Sequence, residues 1–245
     1  MTGASPAVIR SAANPQYKSL RALAQDNTAW RKQGRVWLEG EHLCRAALAR
    51  GLQPELGVYA ESCPAGQHLD APRTLVLADS LFQALSGLES PARMGFVVPV
   101  RPPDKLDPQA PTVILDRVQD AGNVGSILRS ASAFGFPQVI GLKGTAALWS
   151  PKVLRAGMGA HFGLALWDAQ DLALLDGLAV PLLATSSHGG EFLHAARLPR
   201  PCAWVFGHEG QGVRMELMER ASATVRIGQP GGEESLNVGA AAAIC

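Results

Sequence analysis

No pair of cysteines in this sequence has the spacing of a metal site or a redox motif. The four cysteines (Cys44, Cys63, Cys202, Cys245) are scattered, no C-x-x-C occurs, and the six histidines form no ligand-spaced cluster with them. Free thiols, a reducing compartment and no metal are the expectations. No window approaches the roughly 18 consecutive apolar residues that a membrane span requires. The opening MTGASPAVIR lacks a basic segment followed by an apolar one. The reading is therefore a soluble, cytoplasmic protein that is not exported. There is no G-x-G-x-x-G and no Walker lysine, which argues against triphosphate chemistry and against a small-molecule nucleotide enzyme. Repeats and low-complexity tracts are also missing. Charged residues are only 18% of the 245, and 47% are hydrophobic, enough to build the core of one large domain or two ordinary ones.

The net charge of +1 hides an asymmetry. Residues 1–50 hold eight bases against three acids, a net +5, whereas residues 106–245 hold ten bases and twelve acids, a net −2. A basic end points weakly to a polyanion. Along the chain, SAANP turns into a helix over Gln16–Ala24, with Tyr17, Leu20 and Ala24 on one face and Lys18 and Arg21 on the other. Arg31, Lys32 and Arg35 precede a short strand at Val36–Leu38. Glu41–Arg50 reads as a helix, and Leu56–Ala60, Leu75–Leu77 and Phe96–Val100 read as strands, together a small α/β sandwich. The segment RPPDKLDPQAP, with four prolines and no apolar periodicity, is the best linker. It divides the chain into domains at 1–103 and 104–245. Beyond it, Thr112–Asp116 is a continuous apolar run of the buried parallel type, and Gly122-Asn123 opens a helix through Phe134 with Ile127, Leu128, Ala131 and Phe134 facing inward. Strands at 138–142, 181–184 and 203–206 alternate with helices at 152–158, 168–178 and 213–220. That alternation implies a mostly parallel α/β sheet covered on both faces.

Three segments could carry chemistry. In Asp116–Gly135, Arg129 stands on a helix of small and apolar residues, and a guanidinium there needs an anionic or oxygen-rich partner. A surface salt bridge would satisfy it equally well. In Phe206–Val213 (FGHEGQGV), Gly207, Gly210 and Gly212 let backbone approach closely, while His208 and Glu209 could act as acid or base. A plain turn with a solvated glutamate is the alternative. In Ile227–Cys245 (IGQPGGEESLNVGAAAAIC), a glycine-rich loop leads to Ser235, a natural N-cap, and then to a small-residue helix. Backbone donors and the positive helix end suit an anion or an adenine edge.

Taken together these segments resemble a known family. Asn123-x-Gly125-x-x-x-Arg129-x-Ala131, Gly207-x-Glu209-Gly210-x-Gly212 and Glu234-Ser235-Leu236-Asn237-Val238 are similar in residues, order and spacing to the three motifs of the SpoU (TrmH-type) RNA ribose methyltransferases of the SPOUT superfamily. KVLRAGMGA at Lys152–Ala160 resembles the family's Arg-Ala-Ser-x-Gly-Ala, with Gly157 where serine is usual. Ser11, Asn14-Pro15, Lys18, Arg31, Gly34 and Glu39-Gly40 resemble the ribosomal-protein-like substrate-binding domain of many members. The resemblance covers nearly the whole chain. It implies a parallel-sheet C-terminal domain with a deep trefoil knot, and a homodimer. It also implies transfer of a methyl group from S-adenosylmethionine to a ribose 2′-hydroxyl of structured RNA, with rRNA preferred over tRNA.

By the same resemblance the cofactor pocket draws on Phe206, Gly207, Glu209, Gly210 and Gly212, on Ile227, Gly228 and Gln229, and on Leu236. The catalytic set is Arg129, Asn123, Glu209, Ser235 and Asn237, and Lys18, Arg21, Arg31, Lys32 and Arg35 are candidates for RNA binding. Arg129 is the family's catalytic arginine. Because a guanidinium does not give up its proton near neutrality, it is read as holding the ribose or its phosphate and stabilising developing charge. The departures are Ile227-Gly228-Gln229 for Ile-Pro-Met, His208 for Asn and Gly239 for Ser, together with a terminal helix of only about two turns. They leave open a noncatalytic RNA-binding or ribosome-assembly protein on the same fold.

Overall fold

Asn14 starts the first helix for two local reasons: its side chain accepts hydrogen bonds from the Gln16 and Tyr17 amides, and Pro15 occupies a first-turn position that needs no donor. That helix belongs to one of two units in the computed structural model, which describes residues 7–87, 90–231 and 235–245. The first unit comprises residues up to Arg101 together with Trp149–Phe162, and the second comprises Pro102–Leu148 with Gly163–Cys245.

The first unit runs β1 (Val8–Ile9), α1 (Pro15–Gln25), α2 (Ala29–Gln33), β2 (Arg35–Glu39), α3 (Glu41–Ala49), β3 (Leu56–Ala60), β4 (Thr74–Leu77), α4 (Asp79–Leu85) and β5 (Met94–Pro99). Its mixed sheet has the order β1-β4-β3-β5-β2, with β5 antiparallel to both of its neighbours. Helix α1 buries Tyr17, Leu20, Leu23 and Ala24, the stripe the spacing implied. Trp37 lies across Gly95 so closely that a Cβ there would sit 2.3 Å from its ring, which is why the facing strand has a glycine. The helix Pro151–Gly157 also packs in this unit, with Leu154 in the core. Residues 149–162 therefore group with the first unit, although the sequence reading placed them with the second.

The second unit continues with β6 (Thr112–Asp116), α5 (Ala121–Ala133), β7 (Gln138–Leu142), the excursion carrying α6 (Pro151–Gly157), then β8 (Ala165–Gln170), β9 (Leu182–Thr185), β10 (Glu191–Phe192), β11 (Ala203–Gly207), α7 (Met215–Arg220), β12 (Ala223–Arg226) and α8 (Val238–Ile244). Among the described residues its sheet is parallel throughout, in the order β10-β12-β9-β11-β6-β7-β8. Every residue of β6, β7 and β11 is buried, the condition under which strands read as unbroken apolar runs. From β6 the chain steps outward to β7 and β8, then crosses to β9 on the other side, and β11 later fills the gap between β6 and β9. That reversal is a topological switch point. The registers Gly207↔Asp116 and Thr185↔Val225 bring the loops after β6, β11, β9 and β12 to one carboxyl edge of the sheet.

Several local expectations change. Residues 168–178 are the end of β8 and a 3-10 turn over Leu172–Gly177 rather than a helix. The leucines that mimic helical spacing pack under the sheet from that turn. Phe134 is 64% exposed, because α5 ends at Ala133 and the capping residue projects past the packed stripe. The short strands β1 and β10 leave too few residues for a periodic signal.

Candidate active site

The loop after β6 turns into α5 at Asp120, whose Oδ1 accepts the Asn123 amide at 2.8 Å. The Glu209 carboxylate, carried by the turn after β11, reaches this loop. It accepts the backbone N–H groups of Gln119 (3.1 Å) and Asp120 (3.0 Å) and the Asn123 side-chain Nδ2 (3.0 Å). Asn237 closes the chain of bonds from the third segment: its Nδ2 donates to Asn123 Oδ1 at 2.8 Å, and its Oδ1 accepts the Gly239 and Ala240 amides. Segments 86 and 114 residues apart thus meet in one relay, Glu209–Asn123–Asn237. Partial burial pushes the Glu209 carboxyl up, but the Asn123 amide and the two backbone donors outweigh it and hold the group below the ordinary glutamate range. Glu209 is therefore an anionic organiser of the two loops, not a base poised near neutrality.

The cap of α8 falls to Asn237, where Ser235 was expected. Ser235 stands two residues earlier, exposed and on the cavity wall described below. Glu234 lies outside the described residues. Gly239 is buried because a Cβ there would meet Ser126 Oγ at 3.3 Å, so the start of α8 rests against α5. Arg129 lies one turn beyond Ser126 on the same face of α5. Its side chain is exposed, and among the described residues no hydrogen bond or ion pair engages it.

The turn after β11 is a tight hairpin. His208 and Gly212 exchange backbone bonds at 3.1 and 2.8 Å, and Gly212 takes φ +67°. The His208 Nδ1 accepts the Gly210 and Gln211 amides at 3.0 and 3.3 Å. His208 therefore caps the turn from inside through Nδ1. Below the turn lies an arrangement no local pattern revealed. Asp116, fully buried at the end of β6, accepts Arg214 N (2.8 Å), Nε (2.6 Å) and Nη2 (2.5 Å), and Arg117 Nε at 3.3 Å. Arg117, in a left-handed conformation at φ 62°, also donates from Nη1 to Gln211 Oε1 at 2.9 Å. The tip and the returning arm of the glycine-rich turn are thereby tied to the end of β6 and the residue after it.

A cavity of about 530 Å³ opens at this carboxyl edge, within the size range of ligand sites. Of the residues expected to hold a cofactor, Gly207, Glu209, Gly210, Gly212, Ile227, Gln229 and Leu236 line it, as do Ser235 and Asn237. Phe206 does not: it is buried and borders a separate groove on the other side of β11. Gly228 does not line it either, and its Cα faces Phe192. Sequence reasoning missed the loop Thr185–His188, a fourth wall. The rule that ligands gather at strand carboxyl ends would have found it, since it follows β9. Cys245 also touches the cavity, and burial pushes its thiol up to about 11.

The basic candidates lie in the first unit. Lys18 and Arg21 are exposed on α1, and Arg31 and Lys32 on α2, with Arg31 stacked over Trp30 at 5.5 Å. Arg35 differs: it is half-buried and shared among Glu55, Gln33 and Ser19, which makes it part of the scaffold.

Comparison with known proteins matches residues 110–245 to the SpoU rRNA Methylase family model. The chain is 30% identical over 240 residues to a 23S rRNA (guanosine(2553)-2′-O)-methyltransferase, RlmP, of Bacillus subtilis (strain 168), covering 96% of each chain. It is 36% identical over 146 residues to a 23S rRNA (guanosine-2′-O-)-methyltransferase, RlmB, of Bordetella pertussis (strain Tohama I), covering 58% of this chain and 60% of that one. Among solved structures, an AdoMet-bound rRNA methyltransferase from Sinorhizobium meliloti superposes with a TM-score of 0.84 at 26% identity, covering 97% of this chain and 95% of that one.

Proposed function

Since this chain belongs to the SpoU rRNA methylase family, we propose that it methylates a ribose 2′-hydroxyl of ribosomal RNA with S-adenosylmethionine as donor. The observation that carries the reading is the Glu209–Asn123–Asn237 relay, which assembles the three motif segments beside a cavity of cofactor size. The residues present fit such a group. Gly212, whose Cβ would meet nothing within 4 Å, leaves the wall open to a close ligand, and apolar Ile227, Leu236 and Val213 line a cavity suited to a flat base. When bound, the sulfonium supplies an activated methyl group that needs no metal.

The protein's part is placement. In the reaction a bond forms between the ribose oxygen and the methyl carbon as the bond from sulfur to that carbon breaks, and the hydroxyl proton leaves to a phosphate oxygen or water. Arg129, exposed and without a partner among the described residues, holds the ribose oxygen or its adjoining phosphate and stabilises developing negative charge. Asn123 and Asn237 fix the start of α5 and α8 around that position, and Glu209 orients the Asn123 amide. Ser235, on the cavity wall, adds a hydroxyl.

The finer architecture belongs to the same reading. Residues 1–103 form the ribosomal-protein-like substrate-binding domain, grasping RNA through Lys18, Arg21, Arg31 and Lys32. Residues 104–245 form the methyltransferase domain, in which the segment from β12 to α8 threads a trefoil knot. The return of Asn237 to Asn123 supports that path. The enzyme works in the cytoplasm as a homodimer. A groove of about 810 Å³ that includes the exposed side chains of Phe134 and Ile244 supports the pairing.

The test is incorporation of labelled methyl from S-adenosylmethionine into unmodified total RNA, with wild type beside Arg129→Ala, followed by nuclease digestion and nucleoside analysis. Label in a 2′-O-methylnucleoside of rRNA, lost with Arg129, is the expected result and names the base. Label in tRNA alone would move the substrate. No label and no cofactor binding would leave a noncatalytic RNA-binding protein. Near-normal turnover by Arg129→Lys would refute a role for the guanidinium fork.

A further inference from the structure

Arg226 ends β12 beside a cavity wall that it does not join. Val225, the residue before it, lines the cavity, so by strand alternation the Arg226 side chain leaves on the other face of the sheet. There it meets Phe192, its register partner on the edge strand β10, and the guanidinium lies 4.0 Å over the phenyl ring. The His194 ring stacks on that phenyl group at 5.5 Å and 27°. Arg226 Nε is shut off from water, whereas neither Nη is, and among the described residues no hydrogen bond or ion pair engages them. A guanidinium held in place on an aromatic face and left without an anion calls for one from outside. Phe192 is 39% exposed, so an aromatic surface lies open beside that charge. Residues 186–200 add two arginines against one glutamate, a positive excess in a domain whose balance is −2.

Resting on the function proposed above, we propose that Arg226, Phe192 and His194 hold one unpaired nucleotide of the substrate RNA on the second unit. Arg226 donates from its Nη nitrogens to a phosphate oxygen, and the exposed rings of Phe192 and His194 offer a stacking surface to the base. An unpaired nucleotide is the occupant because it brings a phosphate and a free base face together. A paired duplex would present the phosphate and withhold the base, and a protein carboxylate would engage the charge and leave the rings bare. A Cβ on Gly228 would touch the Phe192 ring at 3.7 Å, and Gly228 stands between Ile227 and Gln229 of the cavity wall, so a nucleotide held there flanks the cofactor site.

The experiment measures binding of the full-length chain to a labelled, unmodified 23S rRNA transcript by filter retention over a series of salt concentrations, and to S-adenosylhomocysteine by calorimetry. Arg226→Gln should weaken RNA binding by about tenfold. It should also flatten the plot of log affinity against log salt by about 0.7, the share of one phosphate on a single strand. Arg226→Lys should keep the slope. Phe192→Leu removes the flat ring with the charge left in place, and should weaken RNA binding by about fivefold at an unchanged slope. Affinity for S-adenosylhomocysteine should match wild type in all three. An Arg226→Gln variant with the wild-type RNA affinity and slope would overturn the proposal and leave the methyltransferase reading in place. Equal losses of RNA and S-adenosylhomocysteine binding would also overturn it, since they would mark Arg226 as a support of the cofactor loop. Wild type that neither binds S-adenosylhomocysteine nor transfers methyl to RNA would overturn the function proposed above and this site with it.

Discussion

Gly207 is the position where a single methyl group tests the construction of the site. A Cβ there would fall 2.1 Å from the Gly212 carbonyl carbon, 2.2 Å from Val213 N and 2.4 Å from Gly212 O, all main-chain atoms of the returning arm of the turn. Carbon atoms settle near ~3.5 Å apart, so in Gly207→Ala the arm must retreat by more than about 1 Å. Overpacking of this kind costs about 1–3 kcal/mol, and the two backbone bonds between His208 and Gly212 add about 1 kcal/mol each when broken. The sum is about 3–5 kcal/mol, or a fall in Tm of roughly 6–20 °C for a chain of this size. Function should suffer more than stability. The turn carries Glu209, whose bonds to Gln119, Asp120 and Asn123 are 3.0–3.1 Å long and do not survive such a shift. A misplacement of ~1 Å costs about 100-fold in rate. Thermal melting with and without S-adenosylhomocysteine, beside methyl transfer, reads both effects. Gly210→Ala is the control, since in the same turn its Cβ meets nothing closer than His208 at 3.9 Å. Were Gly207→Ala to melt and bind like Gly210→Ala, the close-approach argument would be wrong.

Other variants probe the remaining supports. Asp116→Asn removes the charge that two arginines share at a fully buried position, and denaturant unfolding should show a loss of about 3–5 kcal/mol. Glu209 titrates lower in the folded chain than in the unfolded one, so its contribution is present above the ordinary glutamate range and is lost as pH falls through the depressed value. The stability advantage of wild type over Glu209→Gln should therefore be constant near neutrality and shrink below about pH 4.3, and an advantage that grows on acidification would contradict the assignment. Gly157→Ser would drive its Cβ to 2.4 Å from the buried His161 ring and should destabilise by about 1–3 kcal/mol. Adding His161→Ala should recover part of that loss, and purely additive effects would deny the contact.

The elements that organise the second unit were legible because burial on both faces leaves an unmistakable trace. Val113–Leu115, the middle of Thr112–Asp116, is an unbroken apolar run, and its place between two other buried strands explains why. The motif residues were legible as a set, since Asn123, Glu209 and Asn237 are few, polar and ordered. Their bonding was not, because it joins positions 86 and 114 residues apart. Asn237 displaced Ser235 as the cap because cap choice depends on where the chain enters the helix, and either residue type suits the role. The edge strand β8 was hidden by a register irregularity opposite Ile140/Leu142 and by leucines in the following turn. The Asp116–Arg214 pair had no local signature at all, since its partners are 98 residues apart and each reads as an ordinary surface charge.

The bond from Asn237 to Asn123 also orders events in time. The sheet of the first unit and its packed helix α6 are all encoded by residue 162, and the strands of the second unit by residue 226. The wall formed by residues 235–245 arrives after all of them. A chain emerging from its own ribosome therefore gains the surface proposed for grasping RNA well before it can grip a methyl donor. Of the proposed site, the wall from residues 235–245 is thus the last part to be made.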